Sequence, residues 1–252
     1  MKKLLIVGNY LSPYVRKVLL GLEIKGIAYE VDPLVPFFGN DAFSRLSPLR
    51  RIPVLIDHSP GGDLVLTDST VISEYLEERK PEPRLYPQDI RDRARARWLE
   101  EFADTRMGDV LIWRYFAQLA IKRGVWGEEP DRAQMERTMN EEIPSVFDFL
   151  EAEAPEAGFR FGALGMADLA PACFIRTATY ARFQIDAARW PKTAAWMERT
   201  IQAAPFEKLA KYETVIARMP VAQHREALRS LGAPISVENY SDAKPRRGIM
   251  PI

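Results

Sequence analysis

"SPLRRIPVLIDHSPGGDLVLTDSTVISEYLEERK", Ser47 to Lys80, is the stretch that decides how this chain folds. Within it Val54–Asp57 and Leu64–Leu66 are apolar runs of strand length. The "HSPGGD" between them is dense in turn formers, so a β-hairpin is expected. Thr67, Asp68 and Ser69 then offer three N-cap residues ahead of the helical "TVISEYLEER". The order here is β-β-α. Upstream, "LLIVG", Leu4 to Gly8, has the character of a buried strand. Ser12-Pro13 opens a helix in which Val15, Val18, Leu19 and Leu22 keep the i, i+3, i+4, i+7 spacing, and Gly26 stops it. "IAYEVDPLV", Ile27 to Val35, reads as a second strand. Two strands flanking one helix run parallel with a right-handed crossover, and the hairpin adds an antiparallel edge. Residues 1–80 therefore form an α/β domain, βαβ then ββα, on a mixed four-stranded sheet.

Downstream, Lys80 to Asp89 carries three prolines in ten residues, which places a linker at 81–89. From Ile90 to about Met219 only helix-length patterns occur, beginning with the long proline-free "RARARWLEEFADTRMGDVLIWRYFAQLAIKR". An all-α domain over 90–219 is expected. Residues 220–252 form an extension with one candidate helix, "VAQHREALRSLG", and a tail containing "KPRRG". Three fates stay open for the tail: folding over a substrate site, embracing a second subunit, or disorder.

Bulk properties narrow the function classes. Of 252 residues 47% are hydrophobic, which calls for a packed core. Lys+Arg and Asp+Glu both count 35, and this balance argues against a nucleic-acid surface, which needs clustered positive charge. One cysteine, Cys173, excludes an internal disulfide framework, and with two histidines no metal site is expected. Cys173 reads as a small core residue. Lys2 and Lys3 precede an apolar run that breaks at Gly8-Asn9, too short for a signal peptide, and no stretch approaches the ~18 apolar residues of a membrane span. A cytoplasmic protein without membrane partners is expected.

Four local patterns, in this order and spacing, resemble the cytosolic glutathione transferase superfamily over Met1 to roughly Met219. "SPYVRKV", Ser12 to Val18, resembles the active-site turn of its serine-type classes. "LSPLRRIPVL", Leu46 to Leu55, is similar to N-P-x-x-K-[VI]-P-V-L, with Ser47 in place of Asn. "LTDSTVISEYLEE", Leu66 to Glu78, is similar to [ED]-S-x-x-I-x-x-Y-[LI]. "FGALGMADLAPA", Phe161 to Ala172, resembles the S/T-x-A-D motif of the helical domain. The resemblance implies a thioredoxin-like first domain, glutathione as co-substrate, no metal, a small electrophilic second substrate and a homodimer. Glutaredoxins share that first domain with C-P-Y-C where this chain has "SPYV", so dithiol chemistry is absent here.

The residues permit this chemistry physically. Ser12 is explained as an N-cap before a proline at the first helical position. The same geometry puts a hydroxyl at a positive helix end, where a bound thiolate is favoured. Ser12 is the catalytic candidate, holding the ligand's sulfur rather than attacking. The resemblance implies a cis Ile52-Pro53 bond, with the Ile52 main chain pairing the cysteinyl unit. Asp68 and Ser69 would take the glutamyl α-ammonium and α-carboxylate, alongside helix capping. "VPFFGNDAF", Val35 to Phe43, lacks the basic residue that holds the glycyl carboxylate in related enzymes. Arg16, Arg50 and Arg51 are the candidates to replace it, and Arg51 is carried in the binding set. The second substrate would meet Tyr10, Leu11 and Phe38 from the first domain, and Arg106, Val110 and Trp113 from the long helix, with Arg114 a further anion receiver. Tyr10 also competes with Ser12 as a thiolate donor. Gly165 stands at the N-cap of the S/T-x-A-D motif, leaving half a capping box with Asp168 as a structural acid, and Pro171 is expected to break the hydrogen bonding of that helix locally. The alternative to an enzyme is a weakly active or non-catalytic binding protein on the same scaffold. Glutathione-dependent disulfide chemistry ranks last, for want of a cysteine near Ser12.

Overall fold

The computed structural model describes residues 4–59 and 61–248. Lys2, Lys3, Pro60 of the hairpin turn and the last four residues of the tail lie outside them. The chain divides into two compact units, Met1–Pro83 with Glu207–Pro251, and Arg84–Phe206 with the final residue.

The first unit is built on a sheet of order β2-β1-β3-β4. β1 (Leu4–Val7) pairs in parallel with β2 (Tyr29–Asp32) and antiparallel with β3 (Val54–Ser59), which pairs antiparallel with β4 (Gly62–Leu66). The hairpin strands reach further into the expected turn than their apolar runs suggest, because Ser59 still pairs with Gly62. β2 is shorter than expected. α1 (Pro13–Lys25) joins β1 to β2 and ends at Gly26, and α3 (Ser69–Arg79) follows β4. Between β2 and β3 lie a single 3-10 turn, Pro36–Phe38, and the short α2 (Asp41–Leu46), capped by Asn40 Oδ1 on the Phe43 amide at 3.0 Å. Period-2 alternation sends Leu5, Val7, Val54 and Ile56 to one face, where Leu34 and Phe43 complete a core. Leu4, Ile6 and Leu55 point to the other face, and the buried stripes Val15, Val18, Leu19, Leu22 of α1 and Ile72, Leu76 of α3 supply its cover.

The extension belongs to this sheet unit. α9 (Ala204–Ile216), a 3-10 turn and α10 (His224–Ser230) lead into a tail that runs along the β2 edge. Val31 donates to Pro234 O at 2.7 Å and accepts from the Ser236 amide at 3.0 Å, which caps an otherwise open edge strand. Farther on, the tail lies against Phe37–Asn40: Asn40 N donates to Tyr240 O at 2.8 Å and Arg246 N to Phe37 O at 2.7 Å. Of the three fates left open, disorder does not hold for the described part of the tail. It is an ordered strap on its own domain's sheet.

The second unit is helical. α4 (Ile90–Phe102) continues without interruption into a wider π-type segment, Ala103–Trp126, and is followed by α5 (Arg132–Arg137), a short π-type turn, α6 (Ile143–Glu153), α7 (Met166–Thr179) and α8 (Pro191–Ile201). α7 packs against α4, the π-type segment and α8. Pro171 lies inside α7, and its effect is local. It removes one donor while the helix runs on for two more turns, held by its almost wholly buried surface. Asp168 makes its half of the capping box, accepting from Gly165 N at 3.1 Å, and also accepts from Arg160 N at 2.8 Å and Trp196 Nε1 at 2.7 Å. Glycine is required at 165 because a Cβ there would stand 2.9 Å from Leu85 O. Among the described residues no helix is long and apolar enough to cross a membrane, and no three potential metal ligands converge.

Candidate active site

Three chain turns of the first unit carry the predicted residues. β1 ends at Gly8, where a Cβ would lie 2.4 Å from Val15 Cγ2 and 3.3 Å from Ile52 Cβ, so only glycine lets the strand end, the first turn of α1 and Ile52 meet. Asn9 then shapes the loop. Its Oδ1 accepts from Leu11 N at 3.0 Å and its carbonyl from Ser12 N at 3.0 Å.

Ser12 is the N-cap of α1, extended at φ −70°, ψ 128°, with Pro13 behind it. Its Oγ accepts from Val15 N at 3.4 Å, a long bond, and the hydroxyl proton finds no acceptor among the described residues. A half-buried hydroxyl with a free proton thus stands at the positive end of a 13-residue helix.

Ile52-Pro53 is cis. Ile52 is half-buried, and its main-chain N–H and C=O have no partner among the described residues, so the edge before β3 is open to an extended ligand. At the start of α3, Asp68 is the N-cap: Oδ1 accepts from Thr70 N at 2.9 Å and Val71 N at 3.1 Å. Its other oxygen stays exposed. Ser69 is the first helical residue, with a hydroxyl that makes no hydrogen bond among the described residues. Lys17, fully buried in α1, donates to Thr70 Oγ1 at 3.1 Å and adds a cation to this helix start.

The three arginines separate cleanly. Arg16 is buried in a 2.6 Å ion pair with Glu213 of α9 and also donates to Tyr10 O. Arg50, at φ 51°, clamps Ser44 Oγ and the carbonyls of Pro36 and Gly39. Burial, with Arg246 close by, lowers its pKa. Arg51 alone of the three is exposed, with a guanidinium that has no partner among the described residues.

Tyr10 does not fit its expected roles. It has no exposed surface, its ring lies 5.3 Å from that of Tyr212, and burial first, then Tyr212 and Glu23, push its pKa far up. A hydroxyl so sealed neither meets a second substrate nor donates to a thiolate. Leu11 and Phe38 keep partial exposure. In the helical unit Val110 is wholly buried with Met107 and Leu111 on the inner side of the π-type segment, so it offers no surface to a ligand. Arg114 is committed to Asp109 and Glu142. Arg106 stands 3.6 Å from Asp109 and partly exposed, and Trp113 is half-buried.

Sequence reasoning passed over Asn9 and Lys17. Lys17 had a signal, since "RK" interrupts an apolar helical stripe. For Asn9 the contacts to Leu11 and Ser12 are local, but its partners Pro33 and His224 are distant in the chain and left no signal.

Residues 7–84 match the family model "Glutathione S-transferase, N-terminal domain". An uncharacterized GST-like protein of Escherichia coli K12, YibF, is 29% identical over 186 residues, covering 73% of this chain and 85% of the relative. A probable maleylacetoacetate isomerase of Vibrio cholerae is 29% identical over 197 residues, covering 76% and 87%. The crystal structure of a glutathione S-transferase from Rhodospirillum rubrum F11 superposes with a TM-score of 0.75 at 25% identity, over 88% of this chain and 97% of that one.

Proposed function

We propose that this chain, which belongs to the cytosolic glutathione transferase superfamily, binds glutathione and holds its thiolate on the Ser12 hydroxyl for attack on a small electrophilic, apolar substrate. The observation that carries this reading is the Ser12 hydroxyl proton, without an acceptor among the described residues, at the N-terminus of α1, and the Ile52 main chain, likewise without a partner among them, supports it. A free thiol has a pKa near 8.5, and lowering it by about two units takes roughly 2.7 kcal/mol. A hydrogen bond to a charged group contributes roughly 1.5–3 kcal/mol and a helix end roughly 0.3–1 kcal/mol. Together they suffice without a general base.

In this reading the Ile52 main chain pairs with the cysteinyl unit, and Pro53 in its cis bond aims that edge. Asp68 and Ser69 take the glutamyl ammonium and carboxylate, with Lys17 behind them. Arg51 receives the glycyl carboxylate, since Arg16 and Arg50 are engaged elsewhere. Its exposure predicts modest affinity, because solvent-screened ion pairs contribute roughly 0–1 kcal/mol. Leu11 and Phe38 are the proposed contacts for the electrophile on the first unit, and Arg106 and Trp113 remain the surface candidates of the helical unit. The proposed compartment is the cytoplasm, where glutathione keeps thiols reduced. A homodimer is proposed on the exposed apolar side chains of β4 and α3, Leu64, Val65 and Val71, and on Trp98 of α4.

Calorimetry with glutathione tests the reading directly. Binding with a millimolar or tighter Kd, together with a thiolate absorbance that titrates below the free thiol's pKa, is expected. No heat at millimolar ligand refutes the assignment of Ile52, Asp68 and Ser69 together.

A further inference from the structure

The turn that carries Ser12 is held from the far end of the chain. Asn9 is 3% exposed, and its carboxamide makes three hydrogen bonds. Oδ1 accepts from Leu11 N at 3.0 Å, while Nδ2 donates to Pro33 O at 3.3 Å and meets His224 Nδ1 at 3.1 Å. The orientation of the amide is over-determined, because Leu11 N–H can only donate and Pro33 O can only accept. Nδ2 is therefore the atom facing His224, and Nδ1 of the imidazole must be a bare acceptor. The ring proton then sits on Nε2, which lies 3.1 Å from Met219 O, an obligate acceptor. Both contacts demand the same neutral tautomer. The next residue, Arg225, pairs with Asp32, whose carbonyl accepts from Gly8 N at 2.8 Å. α10 thus grips the ends of both β1 and β2 where the loop to Ser12 begins.

We propose that His224 is a positioning residue for the catalytic turn: as the neutral Nε2–H tautomer it fixes Asn9, which fixes Leu11 and Ser12, and a proton on Nδ1 sets donor against donor and releases the turn. The charged and titratable groups on the elements that carry the ring and its partners are Arg225, Glu226 and Arg229 on α10, Glu207, Lys208, Lys211, Tyr212 and Glu213 on α9, Asp32 next to Pro33, and Tyr10 and Arg16 beside the Asn9 loop in the chain. None of them hydrogen-bonds or pairs with the ring. Burial lowers the His224 pKa, with the Met219 and Ile216 carbonyls opposing, so the release falls below the ordinary 6.5. The proposal rests on the reading of Ser12 as the thiolate-holding residue, and its test separates the two.

In the full chain, nitrogen NMR of His224 at pH 7.5 should report the Nε2–H tautomer. The Leu11 and Ser12 amide resonances should shift on acidification with the midpoint of His224. With glutathione and a chloronitroaromatic electrophile, log kcat/KM should fall on the acid side with a slope of about two, one proton for the thiol and one for His224. His224→Gln keeps an acceptor and cannot titrate, so it should retain activity with a slope of about one. His224→Leu leaves a buried N–H unpaired and should lose about tenfold or more at every pH. If the leucine variant does not fold, the glutamine variant and the NMR titration still decide. An Nδ1–H tautomer, Leu11 and Ser12 amides that ignore the His224 titration, or an unchanged slope in His224→Gln would overturn the proposal. Absent turnover with the NMR couplings intact would instead sink the transferase reading and leave the hold of His224 on the turn standing.

Discussion

Ser12→Ala separates the capping role from the chemical one, and the structure gives the two different sizes. An N-cap serine typically contributes about 1 kcal/mol. Here the Oγ–Val15 N bond is 3.4 Å, at the outer limit, so about 0.5 kcal/mol is expected. In a chain of this size that is a fall in Tm of roughly 1–2 °C. Losing a hydrogen bond to a thiolate costs roughly 1.5–3 kcal/mol, or about 1–2 pKa units of the bound thiol. The α1 terminus remains in the variant, so the pKa should stay slightly below the free value. From a bound pKa of about 6.5, the thiolate fraction at pH 7 drops from roughly three quarters to between about a quarter and a few per cent. The assay is thiolate absorbance of enzyme-bound glutathione against pH, with thermal unfolding in parallel. A variant that loses more than about 5 °C while its bound thiol titrates as in the parent would refute the reasoning, because the hydroxyl would then be only a cap.

Four further outcomes follow from named contacts. Glu213→Ala leaves Arg16 buried without that carboxylate, which should cost roughly 3–5 kcal/mol by chemical denaturation, whereas Arg16→Met with Glu213→Leu should recover much of it; a loss under 1 kcal/mol for the single variant would contradict the importance of the buried pair. Arg51→Ala should weaken glutathione binding in calorimetry with Tm unchanged, and Arg50→Ala should do the reverse, lowering Tm by removing the clamp on Pro36–Ser44. Glu151 accepts from Lys192 N, Thr193 N and Thr193 Oγ1 at the start of α8; burial raises its pKa but those bonds outweigh it and hold the group below the ordinary 4.5. A depressed carboxyl stabilises the fold above its unfolded pKa and loses that contribution as pH falls through the folded one, so Glu151→Gln should unfold more easily at pH 7 by roughly 1 kcal/mol and show a flatter acid limb below about 4.5 in denaturation midpoints. Light scattering should report a dimer in the parent chain and monomer in Val65→Lys with Trp98→Glu; an unchanged mass would remove the role proposed for those faces.

What was legible in the sequence was what short-range rules write. Ser12-Pro13, Asp68-Ser69 and the hairpin declare themselves through capping and turn chemistry confined to a few residues, and those elements stand where the pattern puts them. Tyr10 and Val110 looked available for the opposite reason. Nothing near Tyr10 in the chain announces that Tyr212, two hundred residues on, will cover its ring. The winding of Ala103–Trp126 was equally hidden, since apolar spacing along a continuous helix does not distinguish a turn of 3.6 residues from a wider one. Pro171 was legible as a local loss of one donor, and the buried surface of α7 that carries the helix past it was not.

The tail shows where local reading ends and why the site is larger than its motifs. A β2 edge of four residues, closed by a chain segment that also ties Phe37, Phe38 and Asn40, means that the loop before α2 is shaped by residues no motif includes. α9 and α10 supply Glu213 to Arg16 and His224 to Asn9, one on each side of Ser12 in the chain. The hydroxyl's position therefore depends on two buried polar contacts from α9 and α10, each costly to leave half-made. In the proposed function Ser12 would hold the thiolate because a proline and a helix start put its hydroxyl there. The contacts that Glu213 of α9 and His224 of α10 make beside the loop hold that turn, so on the same proposal a substitution at either should reach the thiolate without touching it.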